Sequence, residues 1–134
     1  MPEELVLLAV GDIAPDRDDP STIFARVRNF LQTGDVVFGQ LEANLSDRGS
    51  PLPQARLACR AQPEVAGSLK EAGFTVISFA SNHCMDLGRE AFFDTINVLK
   101  DQGLAIVGVG ANIREARRPA IIELKGMRLA FLAY

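Results

Sequence analysis

Short apolar segments alternate with segments of helical periodicity along this chain, and that alternation restricts the possible folds most. Four segments have the composition of buried strands, and they are residues 5–10, 35–41, 74–80 and 104–107. Segments with apolar residues at helical spacing lie between them. Strands that alternate with helices form a mostly parallel sheet, because each helix carries the chain back to start the next strand. The sequence therefore predicts an α/β fold with crossover helices.

The helical segments have recognisable ends. Ser21 is the predicted cap of a helix whose apolar positions run over 23–31 and which ends before Gly34. A second helix begins near Pro63 and ends at Gly73, and a third spans 88–102. A helical turn is predicted at 113–116. The unbroken apolar run at 5–10 predicts a strand buried on both faces.

The C-terminal part reads as a hairpin. Apolar runs at 120–124 and 128–134 flank the turn Lys125-Gly126-Met127. The last run is still apolar where the sequence stops. We therefore expect residues 1–134 to be a single, partial domain of a larger fold. Residues 43–62 are rich in Gly, Pro, Ser and charge without periodicity, so they are expected to form a functional or mobile loop.

Composition excludes several classes of protein. The 134 residues are 48% hydrophobic and 23% charged, which is typical of a globular domain and not of a disordered or collagen-like chain. A net charge of −3 and the absence of Trp disfavour a nucleic-acid partner. Cys59 and Cys84 are interpreted as reduced thiols. No basic leader precedes the first apolar run, and no run approaches the ~20 residues that span a bilayer, so a cytoplasmic location is expected.

Polar residues follow each predicted strand of the sheet. The candidates are Asp12 after the first strand, Glu42 and Asn44 after the second, Asn82, His83 and Asp86 after the third, and Asn112 after the fourth. Ligand sites of open α/β sheets lie beyond the carboxyl ends of the strands. Because parallel strands end at one edge, we expect these side chains to form one site.

Carboxylates, an amide oxygen and an imidazole suit Mg, Mn or Zn, and such a divalent metal activates water or polarises a phosphoryl oxygen. His83 could ligate that metal or donate a proton. Each candidate also has an interpretation without a function in catalysis or metal binding. Asp12 could belong to a plain turn, Glu42 could be a solvated loop carboxylate, and Asn82 could satisfy loop backbone groups. A lone histidine such as His83 is often structural, and Asp86 is predicted to cap the third helix.

The order of these motifs resembles the N-terminal half of the CapA family of poly-γ-glutamate capsule biosynthesis proteins, which are similar in fold to calcineurin-like metallophosphatases. The most specific stretch is Ser81-Asn82-His83-Cys84-Met85-Asp86-Leu87-Gly88. Val10-Gly11-Asp12-Ile13 and Gly39-Gln40-Leu41-Glu42-Ala43-Asn44-Leu45-Ser46 precede it in the family's order. The implied fold is half of an αββα sandwich.

The resemblance implies a role for each candidate. Asp12 would be a first metal carboxylate, Glu42 a metal-bridging acid, Asn82 a ligand amide and His83 a proton donor. Four residues would contact substrate or shape loops, and they are Asn44, Asp86, Gly88 and Asn112.

The chain departs from the family pattern at three positions. Gln40 and Ser81 each stand where the family usually has Asn, and Ala14 stands where a metallophosphatase has a histidine ligand. The family's second half, with further histidines, is not in this sequence. A two-metal centre built by this chain alone is therefore not expected.

The implied function is a role in making or exporting capsule polymer, with metal-assisted hydrolysis or transfer as its chemistry. A non-catalytic scaffold of a polymer-synthesis complex and a phosphoesterase acting on a small substrate are the alternatives. Capsule-polymer synthesis proteins are expected partners. A second copy of the chain, or the missing C-terminal half, is also expected to dock on the sheet face opposite the helices. Family members are often membrane-anchored and face outward, so the resemblance also allows a membrane-associated or extracellular location.

Overall fold

The computed structural model describes residues 4–134. Its elements, in chain order, are β1 (Leu7–Ile13), α1 (Arg28–Leu31), β2 (Val36–Leu41), β3 (Asn44–Leu45), β4 (Arg60–Ala61), α2 (Val65–Ala72), β5 (Val76–Ser78), α3 (Gly88–Asp101), β6 (Ala105–Val107), α4 (Ile113–Ala116), β7 (Ala120–Leu124) and β8 (Met127–Phe131). Strands β1, β2, β5 and β6 form one parallel sheet in the order β1-β2-β5-β6. Strands β7 and β8 form an antiparallel hairpin. The predicted α/β class, with its parallel sheet and hairpin, is confirmed.

Helices α2 and α3 cover one face of the sheet. Ile77 and Phe79 from the β5 region pack there against Leu69 of α2 and Leu99 of α3, and all four are fully buried. Burial of side chains of this size stabilises the fold by about 1.5–3 kcal/mol each. This core holds the carboxyl ends of β2 and β5 in fixed positions.

The hairpin covers the opposite face. Ile122 and Phe131 of the hairpin pack over Val36, Val76 and Val107, which are at most 1% exposed. The ring of Phe131 stacks on that of Phe38 with centroids 5.8 Å apart. The expectation that this face lacks a covering layer is therefore wrong over β2, β5 and β6, because the chain folds its own last two strands onto it.

Strand β1 is not buried on both faces as predicted. Within the described residues it pairs only with β2, so it forms an edge of the sheet. Leu7 is 45% exposed and Val10 is 37% exposed. An unbroken apolar run is compatible with a central or an edge strand, and only the sheet order separates the two.

A β-bulge extends β1 beyond its predicted end. Ala9 pairs with Phe38 and Asp12 pairs with Gln40, so two residues of β1 lie opposite Gly39 alone. The strand continues through Asp12 to Ile13 instead of turning there. Bulges bend a strand and re-aim the side chains that follow. This one places Asp12 in register with Gln40.

The first helical segment is shorter than predicted. Residues Pro20–Thr22 form a 3₁₀ turn, and only Arg28–Leu31 is α-helical. Asp19, not Ser21, caps the 3₁₀ turn, because the carboxylate of Asp19 accepts the Ser21 backbone N–H at 3.0 Å. The cap position of α1 belongs to Val27, which makes no side-chain cap hydrogen bond. Proline has no N–H and fits the first helical position, which makes the residue before Pro20 the natural cap.

The segment 43–62 has more structure than a loop. It contains the short parallel pair β3–β4, in which Asn44 lies opposite Arg60. No helix within residues 4–134 combines the length and the apolar character that a membrane span requires.

Candidate functional site

Glu42 lies just beyond β2 and is bound on both carboxylate oxygens. The Ser81 hydroxyl donates to Oε2 at 2.6 Å, and the Gln40 amide donates to Oε1 at 3.2 Å. The same Gln40 nitrogen donates to the Ala80 carbonyl at 3.1 Å. Both of these donors are residues at which the sequence departs from the family pattern. They join the end of β2 to the loop that follows β5.

His83 and Asp86 form a pair within that loop. His83 Nδ1 lies 2.6 Å from Asp86 Oδ2, and the two side chains are 25% and 13% exposed. The His83 backbone N–H donates to the Ser81 hydroxyl oxygen at 3.0 Å. The hydrogen bond to Asp86 raises the pKa of His83, and the negative charges of Asp86 and Glu42 act in the same direction. The arrangement favours a protonated imidazole with one edge near solvent.

Asn44 ties this loop to the segment that follows β3. Its side-chain amide donates to the Cys84 carbonyl at 2.8 Å, and its backbone N–H donates to the Cys59 carbonyl at 2.9 Å. The side chain is fully buried, and its Oδ1 has no hydrogen-bond partner in the described structure. Asn44 therefore holds two loops in contact, while its role toward a substrate stays a prediction.

The segment 43–62 wraps around the His83 loop. The Leu52 backbone N–H donates to the Asp86 carbonyl at 2.8 Å. The Arg60 guanidinium donates to the carbonyls of Ser46, Arg48 and Gly49 and so closes the segment on itself. Because these backbone groups have protein partners, the segment is an ordered wall of the site.

A second contact fastens this wall to α3. The Arg48 guanidinium and the Ser46 hydroxyl both donate to the Asp94 carboxylate. The Arg48 hydrogen bond, followed by that of Ser46, lowers the pKa of Asp94 to about 2. Sequence reasoning did not predict the contact of Ser46 and Arg48 with Asp94, because it joins positions almost 50 residues apart.

The remaining candidates lie apart from this hydrogen-bond network. Asp12 is exposed on the neighbouring strand, in register with Gln40. Asn82 is also exposed, and no side-chain hydrogen bond is found for it within residues 4–134. Gly88 begins α3 with a φ of 86°. Asn112 caps α4 by accepting the Glu115 N–H at 3.1 Å.

The prediction that Asp86 caps α3 is wrong. The cap position belongs to Leu87, which makes no side-chain cap hydrogen bond. The carboxylate of Asp86 is instead held by the His83 imidazole. An acidic residue before a helix fits either use, and only the fold of the loop decides between them.

The described residues do not fit a complete metal centre. Across residues 4–134, no three side chains of His, Cys, Asp or Glu come together in a way that could hold a metal ion. Both oxygens of Glu42 already accept hydrogen bonds. The ligand roles of Asp12, Glu42 and Asn82 stay predictions.

The parallel sheet with polar loops at its carboxyl edge and an antiparallel hairpin defines an α/β protein, and this arrangement is consistent with a metallophosphatase-like half-fold. Residues 6–134 match the family model described as "Bacterial capsule synthesis protein PGA_cap", and the chain belongs to that family.

Curated relatives agree with this assignment. The "Capsule biosynthesis protein CapA" of Bacillus anthracis is 30% identical over 98% of this chain and 35% of the relative. The "PGA biosynthesis protein CapA" of Bacillus subtilis is 27% identical over 93% of this chain and 36% of the relative. A "Probable polyglutamine synthesis accessory protein" of Mycobacterium tuberculosis is 30% identical over 67% of this chain and 24% of the relative. The chain thus spans about a third or less of these relatives' length.

Asp86→Asn is expected to lower the pKa of His83. The substitution removes the charge and weakens the hydrogen bond that raise it. His83 is the only histidine, so NMR titration of its ring protons reads this pKa directly. A histidine whose pKa is raised by folding stabilises the folded protein. This contribution is fully present below about pH 6.5, the unfolded-state pKa, and it is lost as pH rises through the folded-state pKa. The wild type's advantage over the variant in urea unfolding should therefore shrink with rising pH.

Asp101→Asn is the matched control, because Asp101 is an exposed carboxylate at the end of α3. An unchanged His83 titration in the Asp86→Asn variant would contradict the assignment of the pair.

Proposed function

We propose that this chain takes part in the synthesis of a bacterial capsule polymer of the glutamate type, and that His83 transfers a proton at its polar site. The family match over residues 6–134 supports the role in capsule synthesis. Two relatives are named for capsule biosynthesis and for PGA biosynthesis, and these names support the choice of polymer.

The pair of His83 and Asp86 is the observation that carries the proposed chemistry. The imidazole is a quarter exposed, so a substrate can reach it, and Asp86 fixes its orientation through Nδ1. A histidine held in this way donates a proton to a leaving oxygen or nitrogen. The Ser81 hydroxyl accepts the His83 backbone N–H and donates to the Glu42 carboxylate. These two hydrogen bonds keep His83, the proposed proton donor, beside a carboxylate.

Chromosomal His83→Gln, in the bacterium that makes this protein, tests the proposal. Loss of a general acid lowers reaction rates by about 10²–10⁴-fold. We therefore expect at least a tenfold fall in surface glutamate polymer at an unchanged level of the protein. Asp101→Asn, a charge change on α3 remote from this pair in sequence and contacts, is expected to leave polymer production unchanged.

The test also separates a scaffold from an enzyme. The presence of a single histidine in the sequence is the feature that favours a scaffold. Polymer lost on deletion of the chain but normal in His83→Gln would contradict the proton transfer and keep the capsule role. Normal polymer after deletion would contradict both. Binding of Mn²⁺ or Zn²⁺ that Asp12→Ala abolishes would restore the predicted metal site.

Self-association is proposed through the exposed apolar edge of the sheet. Leu7 and Val10 on β1 are each more than a third exposed. Edge strands with such side chains pair readily with other chains. Sedimentation should show a concentration-dependent dimer that Leu7→Lys converts to monomer. Glu123→Lys, at an exposed position of the hairpin, is the control and should leave the dimer unchanged. A wild type that stays monomeric at all concentrations would contradict this contact.

A further inference from the structure

A groove of about 370 Å³ lies between α3, β6 and the segment around α4. Its lining includes the apolar residues Ile96, Ile106 and Val109, and the exposed cations Lys100 and Arg118 stand at its rim. None of its lining residues belongs to the hydrogen-bond network of Glu42, Ser81, His83 and Asp86. The groove is therefore a separate feature of the surface.

The groove is positively charged in a chain whose net charge is −3. Within residues 4–134, Lys100 and Arg118 form no ion pair. The carboxylate in the groove, Glu115, already accepts the Ala111 N–H at 2.9 Å and the Asn112 amide at 3.3 Å. The rim cations are therefore available to an anion from outside.

The apolar residues of the lining and the two cations at the rim together define the chemistry of the ligand. Arginine binds carboxylates through paired N–H donors, and lysine adds a mobile point charge. Methylene groups between successive carboxylates would lie on Ile96, Ile106 and Val109. A nucleic acid fits less well, because the aromatic ring in the groove is already occupied. Phe93 packs edge-on against Phe92 at 5.1 Å, and Arg89 lies over its ring at 5.1 Å.

We propose that this groove binds a polymer of glutamate, with its carboxylates on Lys100 and Arg118 and its methylene groups on the apolar residues of the lining. The choice of a glutamate polymer over other polycarboxylates rests on the proposed function. The binding site itself rests on the geometry and charge of the groove.

Fluorescence anisotropy with a labelled poly-γ-glutamate oligomer tests this site on the 134-residue chain. The double variant Lys100→Gln/Arg118→Gln is expected to bind at least tenfold more weakly than the wild type, and wild-type binding should weaken with salt. The double variant Arg26→Gln/Lys70→Gln is the matched control. It removes the same two charges from exposed positions outside the groove, and it should bind within twofold of the wild type.

Three outcomes would overturn the proposal. The first is equal weakening in both double variants, which would show binding to net charge alone. The second is tighter binding of a single-stranded oligonucleotide of the same charge, which would assign the groove to nucleic acid. The third is no binding of the oligomer by a wild-type chain that circular dichroism shows to be folded.

This measurement does not depend on polymer production in the cell. A negative binding result for the groove therefore does not contradict the proton transfer by His83. A normal polymer level in His83→Gln likewise does not contradict binding of the oligomer in the groove.

Discussion

Phe79→Ala is expected to lower the free energy of unfolding by about 3–5 kcal/mol, the range for removal of a buried aromatic ring. Phe79 is fully buried directly after β5, and its ring stacks on Phe92 with centroids 5.8 Å apart. The loop with Ser81 and His83 starts two residues later. We therefore expect the variant also to broaden or shift the His83 NMR signals, because the support beneath the loop is lost.

Phe30→Ala is the control for this substitution. Phe30 is 65% exposed, and surface changes of this kind usually stay within about 0.5 kcal/mol. Urea denaturation of both variants gives the comparison. Similar losses in the two variants would show that the face between sheet and helices is less tightly packed than the structure indicates.

Gly49→Ala is expected to destabilise the chain by about 2–5 kcal/mol. A Cβ at this position would lie 2.1 Å from the Leu87 carbonyl oxygen, and the backbone φ is 79°. The left-handed conformation costs a residue with a Cβ about 1–2 kcal/mol, and overpacking adds about 1–3 kcal/mol. Backbone must move to relieve this contact, so the wall formed by 43–62 would separate from the start of α3.

Gly126→Ala isolates the conformational part of this cost. Gly126 has a φ of 71° in the hairpin turn, and a Cβ there would meet nothing within 4 Å. The Gly126→Ala substitution should lower the free energy of unfolding by about 1–2 kcal/mol. If chemical denaturation gives the same loss for both variants, the close approach between Gly49 and Leu87 does not exist in solution.

Local patterns predicted most of the fold. The spacing of Phe92, Ile96 and Leu99 identified α3, and Lys125-Gly126 identified the turn between β7 and β8. These elements depend on periodicity and turn chemistry, which a sequence displays directly. The edge position of β1 was not predictable in this way, since strand order depends on contacts between distant segments.

The candidate site was predicted as an edge of the sheet but not as a set of contacts. Glu42 and His83 were identified from their positions after β2 and β5. The partners of Glu42 were not, because Gln40 and Ser81 drew notice only as departures from the family pattern. Their hydrogen bonds depend on side-chain conformations in two loops that meet only in the folded chain.

The extra residue in β1 has a consequence for insertions and deletions at this position. Val10 and Gly11 together lie opposite Gly39, so removing either one leaves a regular ladder in which Asp12 still pairs with Gln40. The faces on which Asp12 and Ile13 lie are then unchanged, because side chains alternate regularly along an unbulged strand. A deletion here is therefore expected to be tolerated better than loss of a regularly paired residue such as Leu8, which would exchange the two faces of the strand.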